Sequence, residues 1–391
     1  MKKIAFVCQR YGKEVNGGSE AECRMLAEHL CGLYDVTVYT TCAKSYITWK
    51  NEYAPGTEQI GGVTVRRFRN ARSRNARRFR KLTGAAFGDS ASPEALQQSW
   101  VEEQGPYCPA LLEALWRDRE EYAAVFFMTY LYYPTAVGLT MPFENAFLIP
   151  TAHDEPPIRF RFYDRVFAGA RGYLWQTEEE KAFAERRFPF LRGRPGAVGA
   201  VGIEVPAHPQ AVPAAVRGFP YILYAGRIDE SKGCGELFGA FLHYKERCGG
   251  DLKLVLIGKE AMRVPSHPDI VPLGFVSEET KYAVMRGAEA LVLFSRFESL
   301  SIVVLESMAL GRPVLVNGRC EVLRGHCVRS GAGLYFGSGR EFAAQLDYLR
   351  THRGVYEKMC ANGPKYVREN YTWEVVRSNV SGLVNSLAPR A

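Results

Sequence analysis

The chain has 391 residues, 47% hydrophobic and 24% charged, the balance of a folded globular protein long enough for two or three domains. No apolar run approaches bilayer-spanning length, and Met1 leads into only five apolar residues, Ile4 to Cys8, too few for a signal peptide. The ten cysteines form no CxxC pair and have no histidine at metal spacing, so they read as reduced, mostly buried thiols of a cytoplasmic protein, and the net charge of +8 leaves an anionic partner open.

In chain order, Ile4–Cys8 predicts a first buried strand. Asn16-Gly17-Gly18-Ser19-Glu20 follows it. Two adjacent glycines before a helix start can cradle a phosphate or admit a sugar, and they can equally make a plain tight turn. Ser19 and Glu22 are spaced as a capping box. Asp35–Thr41 alternates as a second strand. The next feature is a basic run: Arg66, Arg67, Arg69, Arg72, Arg74, Arg77, Arg78, Arg80 and Lys81. Such a run fits an anionic membrane surface, a diphosphate-bearing acceptor or nucleic acid, or else a solvated, mobile face.

Ala124–Met128, Ala146–Pro150 and Gly172–Gln176 read as further buried strands. Tyr130, Tyr132, Tyr133 and Pro134 follow the first of them, as an apolar shelf for a sugar face or as ordinary packing of a loop on a helix. Thr151-Ala152-His153-Asp154 sets a histidine at a strand end beside an acid, where it can be tuned as donor or acceptor. Thr177 with Glu180 makes a second capping box. Ala197–Val205 predicts one last strand, and Pro206–Pro220 is the linker.

The alternation then restarts with strands at Tyr221–Ala225, Leu252–Ile257, Ile270–Leu273, Ala290–Phe294 and Pro313–Val316, and helices at Glu236–Arg247 and Glu278–Ala288. Strand–helix alternation of this kind implies α/β architecture: two tandem Rossmann-like, doubly wound domains facing a cleft, with ligands beyond the carboxyl ends of the strands.

Two motifs sit at such ends. Gly226-Arg227-Ile228-Asp229-Glu230-Ser231-Lys232-Gly233 combines a planar guanidinium and an ammonium with glycines that allow close backbone approach, which suits a diphosphate. A charged loop with an Arg–Asp surface pair is the plainer alternative. Glu298-Ser299-Leu300-Ser301-Ile302-Val303-Val304-Leu305-Glu306 places one carboxylate in a turn and another in the second turn of a helix starting near Ser301. Free N–H groups at Ser299 to Ile302 suit a phosphate. Each carboxylate can accept from vicinal hydroxyls. Backbone around Gly258 and Gly274-Phe275-Val276 is placed to read a base. No DxD pair occurs, so no metal site is implied.

Together these residues resemble glycosyltransferase family 4, retaining enzymes of the GT-B fold. Glu298 to Glu306 is similar to that family's E-x7-E motif, Gly226-Arg227 with Lys232-Gly233 to its diphosphate segment, and Gly311-Arg312-Pro313-Val314 to the turn after its motif helix. Gly17-Gly18 and His153 fall where the family has its glycine loop and active-site histidine. Ser299-Leu300-Ser301 stands where the family often has Pro-Phe-Gly. The resemblance implies that Glu298 holds the donor sugar, Glu306 the ribose, and Arg227 and Lys232 the diphosphate. It implies that His153 approaches the donor sugar from the first domain.

The domains expected are 1–205 on the acceptor side, 206–370 on the donor side, and 371–391 as a last helix returning to the first domain. The implied reaction is front-face transfer with retention from a UDP- or GDP-sugar, without metal or other cofactor. The acceptor is a saccharide or a lipid-linked molecule in bacterial-type polysaccharide or glycolipid assembly. Peripheral attachment to the inner membrane face through Arg66–Lys81 is a further expectation. The alternatives are a nucleotide-sugar epimerase or a phosphorylase of the same plan. An anion- or nucleic-acid-binding protein leaves the paired motifs unexplained, so no nucleic-acid partner is expected.

Overall fold

The computed structural model describes residues 1–15, 17–88, 92–208 and 210–387. The chain divides into two compact units. The first takes Met1–Gly202 together with the segment from Trp373 onward, and the second takes Ile203–Thr372.

The first unit holds a sheet of eight strands: β1 (Lys3–Val7), β2 (Asp35–Thr41), β3 (Gly56–Ile60), β4 (Val63–Phe68), β5 (Ala124–Met128), β6 (Ala146–Ile149), β7 (Gly172–Trp175) and β8 (Gly196–Val198). Their order is β3-β4-β2-β1-β5-β6-β7-β8, parallel throughout except that β3 runs antiparallel to β4. Successive residues face opposite sides of a strand. Accordingly Ala5, Val7, Val125, Phe127 and Leu148 enter one core, while Ile4, Phe6, Phe126, Met128 and Phe147 enter another. Both faces are apolar, which is why these strands read as unbroken hydrophobic runs.

The second core is completed from the end of the chain. Trp373, Val376, Val380, Leu383 and Val384 of the helix Trp373–Ser386 join it beside Cys23, Leu26 and Leu30 of the helix Gly18–Leu30. Trp373 stacks on His29 at 3.7 Å, and the Asn379 amide donates to Val198 O at 2.7 Å.

The predicted strand Ala197–Val205 is cut to β8: Gly199 makes a last bond to Trp175 O at 2.9 Å and, at φ +101, turns the chain off the strand. The Ser19–Glu22 capping box does not form. The helix begins at Gly18 with Gly17, two residues before Ser19, as its cap, and Glu22 is buried, accepting from the Gln176 amide instead. Thr177 does cap its helix by accepting from Glu180 N.

The second unit holds β9 (Tyr221–Ala225), β10 (Lys253–Ile257), β11 (Ile270–Pro272), β12 (Ala290–Leu293), β13 (Val314–Asn317) and β14 (Gly333–Phe336). They form one parallel sheet in the order β11-β10-β9-β12-β13-β14. The order reverses between β9 and β12, the switch point where ligands bind in open sheets of this kind. Among the described residues, no helix is long and apolar enough to cross a membrane.

Candidate functional site

All six strands of the second unit run the same way, so the ends of β9, β10, β11 and β12 share one edge. Gly226, Gly258, Gly274 and Glu298 follow those ends. Gly258 stands at φ +139, and a Cβ there would run into Gly226 O, so only glycine lets the two loops pass back to back. Gly274 (φ +69) faces open space, and Phe275 beside it is 76% exposed.

The loop after β9 is organised by Asp229. Its carboxylate accepts from Lys232 N at 3.0 Å and from the Ser231 hydroxyl at 2.7 Å, and pairs with Arg227. Burial works to raise the Asp229 carboxyl. The Ser231 hydroxyl, the Lys232 N–H and the Arg227 guanidinium outweigh it and hold the group below the usual range. Gly233 then takes φ +73, and a Cβ would come within 2.5 Å of Phe294 O, at the end of β12. This close approach sets Lys232 against the neighbouring loop, where its ammonium meets Glu298 Oε1 at 2.7 Å.

Beyond Glu298 the chain makes a tight turn into the helix Ile302–Ala309. Ser301 caps that helix at φ +65, ψ 73, a left-handed conformation that costs a residue with a Cβ about 1–2 kcal/mol. The fully buried His326 braces the turn. Its Nε2 lies 2.8 Å from Leu300 O and its Nδ1 3.1 Å from the Tyr366 hydroxyl. A carbonyl only accepts, so Nε2 carries the proton and Nδ1 accepts from Tyr366. Burial first, and Arg329 second, push the His326 pKa down to about 4, so the ring is neutral.

Glu306, one turn into the helix, is buried. Burial raises its carboxyl above the usual range, opposed by Lys281 at 2.8 Å and the Tyr282 hydroxyl at 2.9 Å. Lys281, Tyr282 and His326 carried no signal in the sequence, because each meets its partner 24 to 26 residues away.

The remaining predicted residues lie in the first unit. Gly17 caps the helix at Gly18, and a Cβ on it would strike the Glu20 carboxylate, which pairs with Arg10 at 2.6 Å in a buried ion pair. Asn16 of that motif lies outside the described residues. His153 follows Thr151, which stands at φ +51 beside Thr129 at φ +63; their hydroxyls are 3.1 Å apart. His153 Nε2 lies 3.5 Å from Glu155 Oε2, and the Tyr130 hydroxyl donates to Glu155 Oε1 at 2.7 Å. Burial would raise Glu155, but His153 and Tyr130 hold it low. The backbone before His153 is pinned by Glu180, which accepts from Ala152 N and Gln176 N, each at 2.6 Å.

Two readings left open by the sequence are narrowed. Tyr130 and Tyr133 are buried core aromatics, which fits the packing alternative and not the shelf, and Tyr132 meets Trp49 edge to face. The basic run is not a uniform solvated face. Arg66 pairs with Asp118, and Arg67 is buried against Glu58 and the Tyr53 ring. Arg72 reaches Glu102 and Tyr107, Arg74 reaches Gln104, and Arg78 reaches Glu103. Arg69, Arg77, Arg80 and Lys81 remain exposed. Among the described residues, no three His, Cys, Asp or Glu side chains are grouped to hold a metal ion.

Comparison with known proteins bears on both units. Residues 219–352 match the family described as Glycosyl transferases group 1. An uncharacterized glycosyltransferase of Methanocaldococcus jannaschii is 32% identical over 165 residues, 39% of this chain and 41% of that protein. The match spans less than half the length of the curated relatives. Sucrose-phosphate synthase of Thermosynechococcus elongatus superposes with a TM-score of 0.72 at 15% identity, covering 99% of each chain. An Anabaena protein solved in complex with UDP and glucose gives 0.67 at 14% identity, covering 99% of this chain and 100% of that one. These likenesses, together with the two parallel sheets, show the fold: two Rossmann-like domains on the GT-B plan.

Proposed function

We propose that the chain is a retaining, metal-independent glycosyltransferase that moves a sugar from a UDP- or GDP-sugar to a saccharide or lipid-linked acceptor. The observation that carries this reading is the Lys232–Glu298 pair at the ends of neighbouring strands, with Glu306 buried one turn into the helix that follows Glu298. The group 1 match over residues 219–352 and the solved relative that holds UDP and glucose support it.

In this reading a diphosphate takes Lys232 away from Glu298, and the released carboxylate accepts from sugar hydroxyls. Arg227, Lys232 and the N–H groups at the start of the helix Ile302–Ala309 meet the charge that develops on the leaving diphosphate. The leaving phosphate itself helps deprotonate the attacking hydroxyl. Glu306 holds the ribose, the Gly274–Val276 segment lies against the base, and His153 serves the donor sugar. Gly17 and Gly18 admit the sugar closely. No cofactor takes part.

The exposed Arg69, Arg77, Arg80 and Lys81 present cationic charge to an anionic lipid surface or a lipid diphosphate. Co-sedimentation with anionic liposomes at low salt is the expected result, and its absence overturns the membrane part of the reading. The central test is a thermal-shift panel of nucleoside diphosphates. A ligand that binds the native state raises its stability, so UDP or GDP should raise the melting temperature. No stabilisation by any nucleoside diphosphate overturns the transferase reading. Turnover that needs no acceptor favours an epimerase, and turnover that needs free phosphate favours a phosphorylase.

A further inference from the structure

We propose that Lys281 and Tyr282 are positioning residues that turn Glu306 into a one-sided acceptor, and so make the site select a ribonucleotide over one of its monodeoxy counterparts. The proposal rests on the donor site described above and adds two residues that the sequence motifs do not contain.

A carboxylate offers about two acceptor directions on each oxygen. The hydrogen bonds from Lys281 Nζ and from the Tyr282 hydroxyl both end on Oε1, at 2.8 and 2.9 Å. That oxygen is filled, and Oε2 is the one left for a ligand. The donors are themselves held. Lys281 is tied to Glu278 at 2.6 Å and lies over the Tyr282 ring at 4.4 Å, and the Tyr282 hydroxyl gives its one proton to Glu306, the nearer of its two acceptors. Both belong to the helix Glu278–Gly287, whereas Glu306 belongs to Ile302–Ala309, so the clamp joins two helices.

The consequence is chemical. An unclamped carboxylate can accept the two hydroxyls of a ribose with one oxygen each. A carboxylate whose first oxygen is saturated receives its strong, charge-assisted bond from one hydroxyl only. The site should therefore be sensitive to one hydroxyl of the pair and tolerant at the other. Lys281 also offsets the cost of keeping Glu306 charged in a buried place.

The test is calorimetric titration of the wild type and the Tyr282→Phe, Lys281→Met and Glu306→Gln variants with UDP, 2′-deoxy-UDP and 3′-deoxy-UDP, or the guanosine series if GDP is the better ligand. Melting curves check that each variant folds, and Tyr282→Phe removes only one oxygen. The wild type should favour the parent nucleotide over one monodeoxy analogue by roughly tenfold to a hundredfold, and over the other by much less. Tyr282→Phe and Lys281→Met should shrink the larger ratio, and Glu306→Gln should bring it near unity. A ratio unchanged or raised in the first two variants overturns the clamp, as does equal loss with both analogues. Those outcomes leave nucleotide binding intact. Failure of every nucleotide to bind the wild type overturns the donor site and this proposal together.

Discussion

Both units bury a titratable side chain to hold a turn at the end of a strand, but they choose groups of opposite response. In the first unit, burial lifts the carboxyls of Glu22 and Glu180 to about 8, and Glu180 pins the backbone before His153. In the second, burial drops His326 to about 4 while it pins Leu300 O. Unfolding returns the two glutamates to 4.5, so between 4.5 and about 8 the native state binds more protons. Their contribution is present in full below 4.5 and is lost as pH rises through 8. Unfolding returns His326 to 6.5, so between about 4 and 6.5 the unfolded state binds more, and stability falls as pH falls. A strand-end turn can thus be fixed by an acid that must stay protonated or by a base that must stay neutral. The choice sets which side of neutrality threatens each unit.

The strand-end carboxylates differ in a second way. Glu180 serves the backbone, whereas Glu298 meets a lysine and stays partly open. Substitution should therefore separate activity from stability. The largest effects expected are on turnover: Glu298→Ala and Arg227→Ala should each lower kcat by at least roughly 100-fold, the scale of losing one preorganised group that meets transition-state charge. Their melting temperatures should barely move, because part-exposed ion pairs are worth about 0–1 kcal/mol. Glu306→Ala should mainly weaken donor binding, and unchanged donor affinity would refute that division of roles.

Next in size, Glu180→Ala should cost about 2–4 kcal/mol in denaturant melts, since it orphans two buried N–H groups. A smaller effect is the pH slope. Melting temperature should decline from pH 7 to 8, a window in which His326 is neutral in the native state and mostly neutral in the unfolded one, and Glu180→Gln should flatten that decline. The smallest is Ser301→Gly, which should stabilise by about 1 kcal/mol by relieving the left-handed serine. Loss of stability there would mean that the serine is held by contacts that outweigh its backbone strain.

Five of the second unit's six strands were legible because each is a short apolar run, whereas β14 (Gly333–Phe336) was not read, and the two motifs were legible because their charges stand at the ends of those runs. The edge strand β3 was not, since Gly56–Ile60 is exposed and carries no apolar alternation. Ser19 and Glu22 have capping-box spacing, yet Gly17 caps the helix and Gln176, 154 residues away, claims the glutamate. The arginine run was only partly legible for a related reason. Arg67 and Arg74 are anchored by residues that spacing does not reveal, among them Glu58, Tyr53, Trp49 and Gln104. Local propensity announces elements and exposed charge, whereas a buried polar partner is fixed only when distant segments meet.

The helix Trp373–Ser386 has a consequence for the order in which the chain can be made. Residues 203–372 are contiguous, so the second unit is complete while synthesis continues. The first unit is split, and its core lacks Trp373, Val376 and Val380 until residues 373–386 have been made. A nascent chain that stops before Trp373 leaves that core incomplete and His29 without its stacking partner. Of the two units, the one begun first is thus the last to finish.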